Sequence, residues 1–136
     1  MFDISRGSVS RLTFEGWSLF LNWTRNGKRV VFDSFRPGGA YLLWQPSDGS
    51  GPAEPLLSDA LEAYSDLRWT VSYPGSWSPD GEHLAFVVFG WDERLDGHAD
   101  VWVLRAEDRR AVPFLETEFD EGYPEFSPDG HWLAYA

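Results

Sequence analysis

Nine side chains that can bind a ligand or move a proton occur in three short segments of this sequence. Residues 91–98 combine a tryptophan, three carboxylates, an arginine and a histidine, while one arginine precedes this segment and two adjacent acids follow it. Binding residues concentrate in irregular loops that a rigid scaffold holds in place. We therefore predict a ligand- or partner-binding surface formed by Arg36, Trp91, Asp92, Glu93, Arg94, Asp96, His98, Asp120 and Glu121.

The five acids in this set offer the oxygen ligands that hard cations prefer. Their spacing does not match an EF-hand loop, and a solvated acidic rim accounts for them without any ion. The three histidines, His83, His98 and His131, fall at different positions relative to the repeats described below. That arrangement argues against a shared histidine site, so the sequence predicts no metal and no cofactor.

Nucleophilic catalysis has no recognisable motif in this chain, which lacks a G-x-S-x-G elbow and contains no cysteine. Ser78 and Ser127 lie in predicted turns, where their hydroxyl groups have a structural role. An acidic or histidine side chain acting as a general acid or base remains an open alternative. We predict no catalytic residue, and a chain that is not an enzyme.

The net charge restricts the possible partners. Twenty-two acidic and eleven basic side chains give a formal charge of −11, which opposes binding to nucleic acid. No apolar run approaches the roughly 18 residues that suggest a membrane span, and Met1 does not open a signal peptide. We expect a soluble chain with no membrane insertion, and the residues leave its compartment open.

A ten-residue string occurs twice and returns once in altered form. WSPDGEHLAF at 77–86 recurs as FSPDGHWLAY at 126–135, and WTRNGKRVVF at 23–32 keeps the order of aromatic residue, turn and apolar strand. The glycines of the three copies, Gly27, Gly81 and Gly130, lie 54 and 49 positions apart. This spacing is close to that of β-propeller blades and longer than that of leucine-rich or helical-hairpin repeats.

Each repeat unit reads as four antiparallel strands. The SPDG letters fit a type I turn, and the apolar run that follows, 83–89 in the second copy, predicts a strand covered on both faces. Residues 100–104 alternate as a third strand. Residues 112–115 form a short outer strand, where Pro113 is tolerated only at an edge. We expect Leu84, Phe86, Leu133 and Tyr135 to be buried between sheets, and the repeat-phased tryptophans to be core residues rather than a sugar-stacking surface.

These motifs resemble the TolB-type, WD-like β-propeller repeat, through [W/F]-S-P-D-G-x-x-L-A-[F/Y] followed by D-V-W-V-L. The resemblance implies an all-β fold of four-stranded blades. It also implies that peptidase members of the family carry their catalytic residues in a separate domain, and it allows a periplasmic location. Propellers host many unrelated activities, so the fold alone does not identify a function.

The blade boundaries predict about three blades in one half-propeller domain. Residues 1–14 read as the outer strands of a shared blade, 15–57 and 58–115 as complete blades, and 116–136 as the inner strands of a shared blade. Helical spacing predicts a short helix within 58–67. Propellers close with about four to eight blades, so a symmetric homodimer would complete a six-bladed ring. Residues 2–14 of one copy (Phe2 through Phe14) would then pair with 132–136 of the other (Trp132 through Ala136).

Together these patterns predict a non-enzymatic module that binds a protein or peptide partner through one face of a propeller. Two alternatives stay open. One is a carbohydrate-binding or hydrolase- or lyase-type propeller with an acidic axial site, and the other is a purely structural half-propeller.

Overall fold

The computed structural model describes residues 1–36, 39–57, 69–91, 97–115 and 117–136. The described residues form β-strands and turns, and no helix occurs among them. The helix predicted within 58–67 lies outside the described residues. The strands are β1 (Phe2–Asp3), β2 (Ser8–Val9), β3 (Leu21–Trp23), β4 (Arg29–Arg36), β5 (Gly39–Pro46), β6 (Glu54–Pro55), β7 (Trp69–Trp77), β8 (His83–Trp91), β9 (Gly97–Arg105), β10 (Arg110–Leu115), β11 (Glu125–Phe126) and β12 (Leu133–Ala134).

Two four-stranded antiparallel sheets form the body of the molecule. Their strand orders are β3-β4-β5-β6 and β7-β8-β9-β10, and two-stranded sheets β1-β2 and β11-β12 accompany them. Each four-stranded sheet is a meander of sequential neighbours, which is how a propeller blade is built. The predicted all-β fold with blades of four antiparallel strands is confirmed.

The aromatic residue before each turn occupies the same register. Trp23 pairs with Val30, Trp77 with Leu84, and Phe126 with Leu133. In each copy the amide of the turn glycine donates a hydrogen bond to the carbonyl three residues before it, at 2.8 to 2.9 Å. The three glycines have φ between 66° and 75°, a conformation that glycine adopts without steric cost.

The core fills the space between the two four-stranded sheets. Strands β4 and β5 of the first sheet contact β7 of the second. Side chains from both sheets form one buried cluster, in which Val31 and Leu42 of the first meet Phe86 and Trp102 of the second. Because β8 is covered on both faces and flanked by β7 and β9, Leu84 and Phe86 are fully buried.

The prediction that Leu133 and Tyr135 would be equally buried is wrong. Leu133 is only partly buried and Tyr135 is 50% exposed. The reason is that β12 has a single sheet neighbour, β11, among the described strands.

The tryptophans divide in the same way. Trp77 and Trp102 are buried between the sheets as predicted, but Trp17 and Trp132 are 78% and 75% exposed, and Trp23 is also exposed. The exposed rings lie in or beside the shorter pairings at either end of the described structure, where no further sheet covers them. The assignment of the whole set to the core is therefore wrong.

Several segments expected to be loops are strands. Strand β4 extends to Arg36, β8 to Trp91, and β9 begins at Gly97 and includes His98. Strand β7 begins at Trp69, two residues after the segment 58–67 that was predicted to be helical. The hairpins extend further than expected because backbone pairing continues past the apolar run, as between Gly90 and His98.

Inner strands of successive sheets are joined directly. The side-chain amide of Asn22 on β3 donates to the carbonyl of Gly75 on β7, and the amide of Phe126 on β11 donates to Ser76 Oγ at 2.7 Å. Gly75 is also in tight contact, since a Cβ built there would lie 2.6 Å from Pro124 Cγ. Strands β3, β7 and β11 therefore stand side by side, as the inner strands of consecutive blades do around a propeller axis.

The outer edges follow the sequence pattern closely. Strand β10 is the last strand of its sheet, and its register shifts between Pro113 and Leu115. This confirms the prediction that proline would be placed at an edge, where no ladder hydrogen bond is lost. Strand β1 pairs with β2 through Phe2 and Asp3, while the pairing of residues 2–14 with 132–136 between two copies stays a prediction.

Candidate functional site

The nine residues predicted to bind a ligand are only partly described. Asp92, Glu93, Arg94 and Asp96 lie outside the described residues. The backbones of Arg36 and Trp91 end strands β4 and β8, where they pair with Gly39 and Gly97. The remaining three residues, His98, Asp120 and Glu121, are described in full.

These three residues lie together at the beginning of β9. The amide of Ala99 donates to Asp120 Oδ1 at 3.0 Å, and the amide of Glu121 donates to the carbonyl of Ala99 at 2.6 Å. His98 precedes Ala99 in the same strand and is exposed, as is Asp120. The segment before β11 is thus hydrogen-bonded to the beginning of β9 in the neighbouring blade.

Glu121 differs from its neighbour because its side chain is buried. Thr117 Oγ1 donates a hydrogen bond to Glu121 Oε1, and Oε2 has no hydrogen-bond partner among the described residues. A buried carboxylate of this kind holds the 117–121 segment in shape. Of the two adjacent acids, Asp120 is the one exposed to solvent.

Three aromatic residues that the sequence analysis did not select lie in or next to the inner strands: Tyr73 in β7, Phe20 directly before β3 and Tyr123 two residues before β11. We call Phe20, Tyr73 and Tyr123 the axial aromatic cluster. The rings of Phe20 and Tyr73 are 4.9 Å apart between centroids and tilted by 30°. The Tyr73 hydroxyl lies 3.7 Å from where a Cβ on Gly122 would stand, which places the hydroxyl end of this ring against the segment that carries Tyr123.

Tyr123 combines an exposed side chain with a left-handed backbone conformation. It is 79% exposed, and its φ of 53° lies in the left-handed region that bulky residues rarely adopt. The neighbouring residues hold this conformation, because Gly122 exchanges two backbone hydrogen bonds with Ala136 and Pro124 is fully buried. The ring of Tyr123 consequently stands in solvent although its backbone is fixed.

The pKa of Tyr73 is shifted by its surroundings. Burial, followed by the nearby Tyr123 and Asp120, raises the pKa of Tyr73. The Tyr73 hydroxyl therefore stays protonated at neutral pH and above.

A buried carboxylate fixes the position of Phe20. Asp33 on β4 is fully buried, and its Oδ1 accepts hydrogen bonds from the amides of Leu19 and Phe20 at 2.8 and 2.7 Å. The carbonyl of Phe20 accepts a hydrogen bond from the Asp33 amide in return. The chain entering β3 is thereby anchored, so that Phe20 meets Tyr73 of the next blade.

One group of side chains has the composition of a metal site. Asp80, Glu82 and His83 each offer a ligand atom, and these atoms lie within 4.8 Å of one another. Asp80 Oδ1, however, already accepts hydrogen bonds from the Ser78 hydroxyl and the Glu82 amide. These bonds stabilise the turn, and they account for the position of the carboxylate without an ion.

Comparison with known proteins supports the fold. No family model matches the chain. A TolB structure from Agrobacterium tumefaciens superposes on 88% of the chain with a TM-score of 0.61 and 20% identity, covering 39% of that protein. The apo structure of AtxE2 isopeptidase superposes on 81% of the chain with a TM-score of 0.54 and 21% identity, covering 19% of that protein.

One curated relative aligns with almost the whole sequence. The uncharacterized peptidase YuxL of Bacillus subtilis (strain 168) is 26% identical over 161 aligned residues, which include 96% of this chain and 23% of the relative. The chain thus spans about a quarter of that relative's length. No helix in the described part of this chain is long and apolar enough to cross a membrane.

These similarities correct one prediction. The expectation that the chain is not an enzyme is overturned, because the relative that aligns with 96% of this chain is named a peptidase. These 136 residues contain no nucleophile motif. That absence does not exclude a role in an enzyme, because the peptidase relative is far longer than this chain. The fold of this chain is that of a TolB-like β-propeller.

Proposed function

We propose that this chain forms β-propeller blades of a peptidase and that these blades contact the peptide substrate. The observation that carries the proposal is the alignment of 96% of the chain with a peptidase at 26% identity. The fold shared with an isopeptidase supports the same assignment.

The blades and the bond-breaking groups have separate roles in this proposal. The 136 residues include no G-x-S-x-G motif and no cysteine. The hydroxyls of Ser78 and Ser127 each bond to an aspartate within their turn. The cleavage chemistry is therefore assigned to residues outside this chain, and the blades position or admit the peptide.

The axial aromatic cluster is the part of these blades best suited to contact a peptide. Its rings lie on or beside the inner strands, and Phe20 and Tyr123 are exposed. Aromatic side chains supply large contact areas with little loss of conformational entropy on binding. The strands behind them are held by hydrogen bonds between blades, so the platform is ordered before a peptide arrives.

The test is peptide hydrolysis by the protein in which this chain occurs. The purified protein is incubated with a mixture of blocked and unblocked peptides of about 4 to 20 residues, and the products are identified by mass spectrometry. We expect cleavage at defined bonds. Intact peptides after prolonged incubation across the pH range 5 to 9 would contradict the proposal.

A further inference from the structure

The first copy of the repeat differs in charge from the second copy at its turn. Residues 24–28 read TRNGK, where the second copy reads SPDGE. Arg25 stands at the position of a proline, Asn26 at that of an aspartate, and Lys28 at that of Glu82. The first turn therefore carries two positive charges where the second turn carries two negative ones.

The local structure of the first turn does not require these cations. Asn26 Oδ1 accepts hydrogen bonds from the Thr24 hydroxyl at 2.9 Å and from the Lys28 amide at 3.0 Å. The aspartate at the equivalent position of the second turn accepts the same two kinds of hydrogen bond. Side chains of either charge are thus compatible with this turn, and the positive charges of Arg25 and Lys28 need another explanation.

The side chain of Arg25 crosses to the turn of the neighbouring blade. A Cβ built on Gly81 would lie 3.4 Å from Arg25 Cβ and 3.6 Å from Arg25 Cγ. A Cβ built on Gly130 would lie at the same two distances from Pro79 Cδ and Cγ. The stem of Arg25 therefore takes the place that a proline ring takes between the next two blades. Because an arginine side chain is longer than that ring, its guanidinium extends beyond the contact.

A cavity of about 480 Å³ lies at this junction between the two blades. Its lining includes Arg25, Lys28 and Arg29 from the first blade, and Trp77 and Asp80 from the second. Three cations and one carboxylate therefore surround the cavity, in a chain that has 22 acidic and 11 basic side chains. The local charge has the opposite sign to the net charge of −11.

Two of these cations have no ionic partner in the described part of the chain. Arg6, Arg105 and Arg109 each pair with a carboxylate. Arg25 and Lys28 form no such pair with another described residue. Because no adjacent carboxylate neutralises them, their charges remain available to an anionic ligand.

Aromatic residues in the wall of the cavity hold the third cation and provide a further donor. The guanidinium carbon of Arg29 lies 4.0 Å from the centroid of the Trp44 ring, and Arg29 shares the Glu54 carboxylate with Arg109. The indole N–H of the buried Trp77 has no hydrogen-bond partner among the described residues, which is unusual for a buried donor. The cavity thus combines excess positive charge with an unused N–H group in its wall.

These features favour a compact oxyanion as the ligand. A guanidinium and an ammonium group both bind the oxygens of carboxylate and phosphate groups. The cavity volume of about 480 Å³ falls within the range of small-molecule sites, about 300–1,000 Å³. A long polyanion such as nucleic acid would also meet the negative charge of the remaining surface.

We propose that this cavity binds one oxyanion group, a carboxylate or a phosphate. Arg25 and Lys28 supply the charge that attracts the group, and Arg29 borders it. The proposal does not depend on the peptidase assignment, because it rests on the charge of the first turn and on the cavity beside that turn.

The test is an NMR titration of the 136-residue chain at pH 7 and constant ionic strength. Sodium chloride is replaced stepwise by sodium acetate in one series and by sodium phosphate in the other, so that general screening stays the same. We expect saturable shifts of the backbone amides of residues 24–28 and of the Trp77 indole N–H. The series with the tighter binding identifies the group as a carboxylate or as a phosphate.

Substitutions in the first turn locate the site. Arg25→Gln and Lys28→Gln should each weaken binding of the preferred anion about 2- to 5-fold, because each removes one exposed charge contact. The double variant Arg25→Pro with Lys28→Glu introduces the residues of the second turn, and it should abolish saturable binding. Arg6→Gln makes the same charge change at an exposed arginine outside the cavity. This matched control should leave the affinity unchanged within error.

Two results would overturn the proposal: no saturable shift with either anion, or an equal loss of affinity in Arg6→Gln and Arg25→Gln. If the double variant does not fold, the single variants still decide the matter, since they change only exposed side chains of the turn.

Discussion

Two nearly identical strings in this chain have the same local structure and different surroundings. WSPDGEHLAF and FSPDGHWLAY form the same hairpin, in which a glycine amide bonds to a serine carbonyl at 2.9 Å and the serine hydroxyl bonds to the aspartate two residues later. Yet Phe86 in the first string is fully buried, whereas Tyr135 in the second is half exposed.

The difference shows which properties are local. Turn geometry follows from serine, proline, aspartate and glycine within four residues, so it is the same in both copies. Burial depends on the neighbouring strands: β8 has β7 and β9 in its sheet, while β12 has β11 alone among the described strands. The predictions that follow compare equivalent positions in the two strings, or positions at the contact between the inner strands of neighbouring blades.

The largest expected difference is between the two aromatic positions. Phe86→Ala should lower the free energy of unfolding by about 3–5 kcal/mol, because it removes a fully buried ring and leaves a cavity. Tyr135→Ala should cost about 1 kcal/mol or less, since half of its side chain is already in water. Urea denaturation followed by tryptophan fluorescence measures both, and similar losses would show that Tyr135 is buried in solution.

The contact between inner strands predicts the next largest effect. Gly75→Ala should lower the free energy of unfolding by about 1–3 kcal/mol, because the added methyl would lie within 3 Å of Pro124 and of the Ala85 carbonyl. Gly122→Ala is the matched control, since its added methyl would make ordinary contact with the Tyr73 hydroxyl at 3.7 Å. If both variants have equal stability, β7 and β11 are further apart than the structure shows.

The serines of the two turns should differ by a smaller amount. Ser78 Oγ accepts the amide of His83 at 2.9 Å and is buried, whereas Ser127 Oγ accepts the amide of Trp132 at 3.0 Å at a partly exposed position. Ser78→Ala should therefore cost about 1–2 kcal/mol, and Ser127→Ala about 0.5–1 kcal/mol. Thermal unfolding of both variants checks the order, and a reversed order would contradict the burial difference.

The smallest difference should be in the pH response of the two turn aspartates. The Ser78 hydroxyl and then the Glu82 amide lower the pKa of Asp80 below 3.8, and the Ser127 hydroxyl and then the His131 amide lower the pKa of Asp129. A lowered folded-state pKa stabilises the protein above the ordinary value and loses that effect as the pH falls through the folded pKa.

We therefore expect carboxyl NMR titrations to give midpoints below 3.8 for both aspartates. Asp80→Asn and Asp129→Asn should each reduce the loss of stability between about pH 4 and pH 2. A midpoint at or above 3.8 in either turn would show that the local bonding differs between the two copies.

The sequence was sufficient to predict the hairpins and the outer edge. Short-range features decide both: the SPDG letters specify the turn, alternation specifies β9, and Pro113 restricts β10 to an edge. The sequence was not sufficient to predict the exposure of Leu133 and Tyr135, because they occupy the same repeat positions as Leu84 and Phe86. Only the stacking of sheets distinguishes them.

The axial aromatic cluster was missed for a different reason. Phe20, Tyr73 and Tyr123 all lie outside the repeated ten-residue strings, so the repeat did not point to them. Strand β7 also has a register shift between Pro74 and Trp77. Tyr73 therefore lies four residues before the tryptophan of its repeat, whereas Phe20 lies three residues before Trp23. Asp33 offered a signal, because an acid directly after the apolar run 30–32 requires hydrogen-bond partners when it is buried, but the sequence does not show that Leu19 and Phe20 supply them.

The hydrogen bonds between inner strands also affect how the chain folds. The Asn22–Gly75 and Ser76–Phe126 bonds join residues 53 and 50 positions apart, nearly one repeat each, whereas the pairings within each blade join sequence neighbours. Each hairpin can therefore form on local contacts, and docking one blade on the previous one closes a loop of about 50 residues. The entropy of loop closure rises only with the logarithm of loop length. Because the two loops are nearly equal in length, closing each of them costs about the same entropy.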